Sequence, residues 1–435
     1  MALGGGTFVS QNKILPGSYI NFISLATVSA ALSDRGIAAM ALDLDWGKDN
    51  EVFVVTREDI TKKSNEIFGY DYGHEKMKGL RDLFLNIHTL YTYKLTSGGI
   101  KASNAFATAK YSGLRGNDLK ISIQPTVDDA SKFEVTTLLG TSVVDEQIVS
   151  KSSALINNDF VEFKEGSTLV QTASTPLTGG TNGTVNGSAH QSFLDKSESY
   201  SFNAIGVVTE DPTINQLYAV HAERLRDELG QKFQAVVFNT AADYEGVVNV
   251  KNEVVDVGAS KASLVYWVTG IVAGTAVNQS SLNSIYDGEF NINVEFTQTE
   301  LEQAIKAGEF TLHQVGSDVR VLSDVNSLVT LTAEKGAVFQ DNQSVRIIDQ
   351  IANDIATLFS TKYLGQIPND QSGRVSLQSD IISHHLELQD ARAIENFSEE
   401  DVTVEQGDTK KSIIVNDAVT IINTMGQLYM SVVVQ

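Results

Sequence analysis

Few residues in this chain are spaced for chemistry. His384 and His385 stand side by side near Asp380 in a stretch with helical periodicity. Consecutive helix positions point to different faces, whereas a helical metal pair uses i, i+4 spacing, as in HExxH. The pair therefore predicts one partly buried and one exposed imidazole, not a ligand set. His221 lies on the apolar side of an amphipathic stretch and reads as a satisfied histidine at a core edge. Asp43, Asp45, Asp49 and Glu51 cluster, but without the loop length and closing bidentate Glu of an EF-hand, so they read as a solvated strand end. Gly179, Gly180, Gly183 and Gly187 lack the Lys-Ser/Thr of a Walker loop and read as a flexible linker. No Gly-x-Ser-x-Gly occurs, and with no Cys there is no thiol nucleophile, disulfide or thiolate metal site. A Ser-His-Asp triad has no fixed spacing, and nothing marks one. No catalytic residue, cofactor site or metal site is predicted.

The elements that would position such residues are those of a multi-domain protein. A chain of 435 residues with 42% hydrophobic and 20% charged residues suits a soluble globular protein of two or three domains. The formal charge of −22 argues against broad nucleic-acid binding, which needs clustered Lys and Arg, but leaves room for a local basic face. No basic-then-apolar leader is present, so no secretory signal is expected, and the lack of Cys suits assembly in the cytosol. The longest apolar stretch, 262–277, is interrupted by Thr269 and Thr275 and is too short to cross a bilayer. Its Gly270 and Gly274 suit a closely packed buried helix.

In chain order, residues 1–22 read as an extended arm, with a disordered tail as the alternative. Residues 23–99 read as β-α-α-β: a strand over 36–44, helices over 59–68 and 75–85, and a strand over 89–95. From 100 to 187 the texture changes to short strands (119–123, 133–139, 143–149, 168–172) between Asp, Asn, Ser and Gly, which predicts an inserted all-β domain. Residues 188–335 return to a central α/β domain. Helices are expected over 192–197, 213–229, 262–276 and 299–307, strands over 204–208, 233–238 and 247–257, and a hairpin over 310–322. Residues 336–426 form a C-terminal domain with helices over 344–363 and 378–390, a loop over 373–377, and strands near 402–404 and 413–422. Strands alternating with helices imply a mixed sheet covered on both faces. The fold class is thus α/β and α+β: an α/β core, an inserted β-domain and a C-terminal α+β domain with extended arms.

The two ends are unusual. Phe8, Val9, Tyr19, Ile20 and Phe22 form strand-like patches beside the flexible Gly4-Gly5-Gly6. Leu428, Tyr429, Val432, Val433 and Val434, in the segment 427–435, make an apolar, β-branched terminus with no obvious sheet of its own. Such a segment needs a sheet to receive it, and an open edge is a template for another chain.

Several passages resemble contractile phage tail sheath proteins, of phages or phage-derived particles. They are Pro16-Gly17-Ser18-Tyr19-Ile20; Gly113-Leu114-Arg115-Gly116-Asn117-Asp118-Leu119; Ala273-Gly274-Thr275-Ala276-Val277-Asn278-Gln279-Ser280-Ser281-Leu282; Ser323-Asp324-Val325-Asn326-Ser327-Leu328; and Val345-Arg346-Ile347-Ile348-Asp349-Gln350. After Tyr363-Leu364 the family often has Gly-Lys, where this chain has Gly365-Gln366 and a Pro368 between Ile367 and Asn369. The order of these words spans nearly the whole chain. The resemblance implies a non-catalytic homo-oligomer stacked as rings or helical strands around a tail tube protein, between baseplate and tail terminator proteins. It implies a virion tail assembled in the bacterial cytoplasm, with no direct nucleic-acid contact and no membrane insertion. It also implies arms donated into the C-terminal domains of neighbours while the sheath shortens. Lys362, Arg374, Lys410 and Lys411 are candidate contacts with an acidic tube. The competing reading is an oligomeric α/β hydrolase or ligand-binding enzyme. An inner tube protein fits poorly, because tube subunits are smaller and mainly β.

Overall fold

The computed structural model describes residues 32–129 and 131–434. These divide into two compact units, one of residues 33–353 and 421–434, the other of residues 32 and 354–420.

The larger unit starts with β1 (Ile37–Leu42), an apolar run buried at all but its first residue. After β2 (Val52–Thr56), the Thr56 side chain caps α1 (Arg57–Lys62) and closes a capping box with Asp59. The single helix expected over 59–68 is two, because Lys63 leaves helical geometry (φ −123°, ψ 22°) before α2 (Ser64–Phe68). A short 3-10 turn leads into α3 (Lys78–Phe84), followed by β3 (Thr89–Lys94).

Short strands follow: β4 (Ala107–Ala109), β5 (Leu119–Pro125), β6 (Phe133–Leu139), β7 (Ser142–Val149), β8 (Val161–Phe163) and β9 (Thr172–Pro176). They pair in the order β7-β6-β5-β9, with β4 on β8. The last strand begins at Thr172, where the strand expected over 168–172 would have ended. Alternation along β5 sends Leu119, Ile121 and Ile123 into a core with Val135, Phe160 and Trp46.

The Gly-rich passage after β9 is not a loose linker. Ile100 and Thr181 exchange backbone hydrogen bonds, and Gly183 N–H donates to the Thr96 carbonyl at 2.8 Å. A Cβ at Gly183 would strike the Ser97 carbonyl oxygen. Asn186 then caps α4 (Gly187–Ser197), which starts earlier than expected.

The α/β alternation continues through β10 (Ala204–Gly206), α5 (Pro212–Asp227), β11 (Gln234–Phe238), β12 (Val247–Val250), α6 (Val265–Gly274), α7 (Gln298–Lys306) and β13 (Glu309–Phe310). The sheet runs β13-β12-β11-β10-β1-β3-β2, parallel except for β2 at the edge. A parallel sheet must be covered on both faces. On one face Met40 and Val236 join Leu83 of α3 and Trp267 of α6; on the other Ala39 and Val237 join Phe193 of α4 and Tyr218 of α5. Gly270 and Gly274 let α6 lie against the end of α3, since a Cβ at either would press on the Leu83 or Asn86 carbonyl oxygen. Among the described residues no helix is long and apolar enough to cross a membrane. The expected 310–322 hairpin is shorter, β14 (Leu312–Val315) with β15 (Asp318–Val321), because Phe310 belongs to the large sheet.

The division between the units falls inside α8 (Asn342–Leu358). Within the larger unit, Arg226 of α5 makes a bidentate pair with Asp349 of α8 at 2.6 and 2.8 Å, both buried. In the smaller unit α8 ends in a π turn, Phe359–Tyr363. Then comes α9 (Gln371–Asp390), whose N-cap Asp370 accepts from Gly373 N–H at 2.8 Å. That cap makes helix of residues 373–377, where a loop is expected. β16 (Ile394–Glu395), β17 (Val402–Gln406) and β18 (Ile413–Asp417) follow, with β17 and β18 antiparallel from Val402↔Asp417 to Gln406↔Ile413. The fold class is the expected one, an α/β core on a mixed sheet with a β-domain and a C-terminal α+β part.

Candidate assembly site

Three features stand out: a cationic groove, a two-stranded hairpin, and an exposed apolar tail. The groove lies in the smaller unit. The π turn and Gly365 (φ 70°) send the chain out of α8 into the loop 364–370. Asn369 fixes that loop to the hairpin tip, its side-chain amide donating to the carbonyls of Lys410 at 3.1 Å and Ser412 at 2.9 Å. Arg374 is held in turn by Asn369, at 3.2 and 3.0 Å to its backbone and side-chain oxygens. Between loop, α9 and hairpin lies a groove of about 600 Å³. Phe359, Leu364, Ile367, Leu377 and Ile413 give it apolar walls, and Arg374, Lys410 and Lys411 give it positive charge. Among the described residues no carboxylate lines it and none pairs with these three cations.

Of the four expected cations, the structure brings three together and leaves Lys362 out. Lys362 Nζ is 2.6 Å from Asp380 Oδ2, and that hydrogen bond raises its pKa. Asn369, which organises the groove, follows Ile-Pro at a helix end and so carries a loop signal, but its partners Lys410 and Ser412 are remote in sequence.

The hairpin β17–β18 forms a two-stranded sheet, and among the described residues neither strand pairs with a third. Ile414 and Val415 of β18 are exposed. The tail starts in the larger unit. Gln343 donates to the Ile422 carbonyl and accepts from Thr424 N–H, and Asn423 donates to Asp341 at 2.8 Å. Beyond that anchor, Leu428–Val434 forms no secondary structure; Leu428, Tyr429 and Val434 are 84%, 86% and 90% exposed, and Val432 and Val433 are similarly open. Phe8, Val9, Tyr19, Ile20 and Phe22 lie outside the described residues.

Of the side chains first weighed for catalysis, His384, His385, Asp45 and Asp49 have structural partners. His384 and His385 are both fully buried, not one in and one out. Each ring meets a carboxylate: His384 Nε2 lies 3.0 Å from Asp354 and His385 Nε2 lies 2.7 Å from Asp417. Spacing alone could not show this, because Asp417 is remote in sequence. His221 is buried, but its Nε2 has no hydrogen-bond partner among the described residues, and burial lowers its pKa to about 4. Asp45 accepts from Tyr70 and Lys76, both at 2.6 Å, and Asp49 lies 3.1 Å from the buried Lys94, so the acidic cluster is more than a solvated strand end. Burial pushes the Lys94 pKa down, opposed by Asp49. Among the described residues no group of three or more His, Asp or Glu is arranged to hold a metal ion.

Three of the passages that carried the sequence resemblance, 273–282, 323–328 and 345–350, meet in the larger unit. Asp324 accepts from Ser280 Oγ and Ser281 N–H, both at 2.9 Å, and from Asn342 at 3.1 Å. Arg346 donates to the Gln279 carbonyl at 2.7 Å and faces Asp324. Ser327 N–H donates to the Val247 carbonyl at 2.8 Å, tying the same passage to the sheet.

The chain thus holds an α/β core on a mixed sheet, a β-domain and a small α+β part. The comparisons with known proteins agree. Residues 92–182 match the phage tail sheath protein beta-sandwich domain, residues 183–327 its central domain, and residues 334–435 the phage tail sheath C-terminal domain. The phage-like element PBSX protein XkdK of Bacillus subtilis (strain 168) is 33% identical, covering 99% of each chain. A sheath tail protein from Desulfitobacterium hafniense superposes with a TM-score of 0.83 at 33% identity, over 95% of this chain and 99% of that one. The helical sheath protein of the anti-feeding prophage in its contracted state shares the fold, with a TM-score of 0.57 at 13% identity over 97% and 99% of the two chains. The chain belongs to the phage tail sheath protein family, whose members are structural components of tails.

Proposed function

We propose that this chain polymerises into a contractile sheath around a tail tube, and that shortening of the sheath drives the tube through the host envelope. The observation that carries the reading is the exposed apolar segment Leu428–Val434, which among the described residues has no strand partner, while the hairpin β17–β18 pairs with no third strand among them. The ten residues Met425–Val434 can reach about 33 Å when extended. That is long enough for a neighbouring subunit to receive Leu428, Tyr429 and Val432–Val434 as an added strand. Main-chain hydrogen bonds would give such a junction its strength and alternate side chains its register. Residues Phe8, Val9, Tyr19, Ile20 and Phe22 are the corresponding arm from the other end.

Each such contact joins unlike surfaces, so the array is open and helical rather than closed. Bodies can rotate while the donated strands stay paired, and a metastable extended array behind a high barrier stores the work of contraction. In this arrangement 1–22 and 427–435 are the arms, 23–99 and 188–335 the α/β body, 100–187 the inserted β-domain and 336–426 the sheath-joining domain. The cationic groove of Arg374, Lys410 and Lys411 faces an acidic tail tube protein, with Lys362 beside it. Baseplate and tail terminator proteins bound the array, which is built in the bacterial cytoplasm without nucleic-acid contact or membrane insertion.

Negative-stain microscopy of the purified protein tests the reading. Tubes or stacked rings are the expected result. A protein that stays monomeric at high concentration, with or without purified tube, contradicts it.

A further inference from the structure

The cationic groove holds apolar side chains out in water on a stiff frame. Leu364 and Ile367 are 61% and 43% exposed, although both belong to a loop with fixed contacts. At one end of the loop the Tyr363 hydroxyl donates to Asp380 at 2.5 Å, and its ring lies parallel to that of Phe359 within 6°. At the other end a Cβ on Gly373 would strike the Pro368 carbonyl oxygen, so the loop lies directly on the first turn of α9. In between, Gln366 donates to the Thr361 carbonyl at 3.1 Å, and Asn369 holds the hairpin tip. The frame keeps Leu364 and Ile367 on the groove wall with Phe359, Leu377 and Ile413.

Charge sits at the same place. Arg374 spends only Nη1, on the two oxygens of Asn369; its Nε and Nη2 make no hydrogen bond among the described residues. One edge of a guanidinium fork already fixed in direction is thus open to a carboxylate in two-bond geometry. Lys410 and Lys411 are exposed on the hairpin tip and line the same groove. The neighbouring acids do not answer this charge. Asp370 accepts from Gly373 N–H as the cap of α9, Asp380 is paired with Lys362, and neither they nor the exposed Asp408 line the groove. A cavity of about 600 Å³ with apolar walls and a few cations suits an apolar group that is oriented by negative charge. A patch that only paired ions would need no such walls.

We infer that the groove recognises a short acidic segment carrying a bulky aliphatic or aromatic side chain. The inference rests on the tube reading above for the carrier of that segment, the tail tube protein. The apolar side chain enters between Leu364 and Ile367 and covers Phe359 and Leu377. One flanking carboxylate takes the open edge of Arg374, and another faces Lys410 and Lys411. Charge brings the segment in and the apolar contact holds it, so salt weakens the binding without abolishing it. The loop is already in place, so little ordering opposes the contact.

The test is co-sedimentation of the full chain with purified tail tube at about 0.05 M and about 0.5 M sodium chloride, read as the chain concentration at half-saturation. Leu364→Ser with Ile367→Ser is expected to raise that concentration about tenfold or more at both salts, because two apolar contacts are lost. Both side chains are exposed in the single subunit, so the melting temperature should not change. Leu364→Met with Ile367→Met keeps an apolar wall and is expected to bind within about threefold of the natural chain. Arg374→Lys keeps the charge but loses the fork, and is expected to weaken binding about tenfold at the lower salt. If the natural chain does not sediment with tube at either salt, the tube reading falls and this inference with it. If it does, but Leu364→Ser with Ile367→Ser binds equally well, the tube reading stands and the apolar anchor is overturned. Complete loss of the natural chain's binding at the higher salt, or a loss in the Met variant as large as in the Ser variant, overturns the anchor in the same way. Unchanged binding in Arg374→Lys overturns the seat for a carboxylate.

Discussion

Asp324 and Arg346 face each other at 3.6 Å with both side chains 1% exposed, and Asp324 is also the shared acceptor for Ser280, Ser281 and Asn342. One carboxylate thus joins the passage after α6, the passage after β15 and the start of α8. Removing it leaves the Arg346 guanidinium buried without its counter-charge, a type of loss that costs about 3–5 kcal/mol. Asp324→Ala is expected to destabilise the larger unit by about 3 kcal/mol in urea titrations. A loss under about 1 kcal/mol would show that the site relaxes or takes in water.

A second carboxylate gives a pH dependence of definite sign. Asp82 on α3 accepts from Tyr286 at 2.9 Å and from Glu289 N–H at 2.8 Å, and burial raises its pKa to about 6 from an ordinary 3.8. The folded chain therefore takes up this proton at higher pH than the unfolded chain. Asp82 contributes its full stability below about pH 4, and the contribution is lost as pH rises through about 6. Asp82→Asn, neutral throughout, should gain about 3 kcal/mol at pH 8 and only about 0.5 kcal/mol at pH 4. Paired denaturant titrations at the two pH values check this; equal gains at both would contradict it.

The groove separates two kinds of cation. Exchanging Arg374, Lys410 and Lys411 for Glu together should abolish assembly on purified tube while leaving the melting temperature within a few degrees, since among the described residues these side chains make no ion pair. Lys362→Met should leave assembly intact, with a small loss of stability, because it removes a half-exposed pair with Asp380. Co-sedimentation with tube reads both. If the triple exchange still assembles, the groove does not face the tube.

Local signals carried most of the core. Apolar runs such as Ile37–Leu42 and Gln234–Phe238 are buried on both sides, so composition alone marks them as parallel strands. Caps decided the errors at helix ends: Asp370 and Asn186 start α9 and α4 earlier than periodicity suggests, and Lys63 breaks one expected helix into two. The loop expected at 373–377 and the linker expected at Gly179, Gly180 and Gly183 differ from the structure because composition says little about partners. Gly183 is glycine for close approach to Ser97, not for flexibility. The same limit hid the candidate site. Asn369 reaches Lys410 and Ser412, and His385 reaches Asp417, across sequence distances that no spacing rule spans. The tail was legible because an apolar end without a sheet is a local feature.

The tail also gives the most direct test of the sheath account. The full chain and a variant lacking residues 427–435 are purified and compared by sedimentation and negative-stain microscopy, with circular dichroism to check folding. The account predicts tubes or stacked rings for the full chain, and for the truncated chain a folded monomer with an unchanged melting temperature, since Leu428–Val434 is exposed in the single subunit. Deleting residues 1–22 should act in the same direction. A truncated chain that still builds tubes of ordinary length would contradict strand donation by this tail.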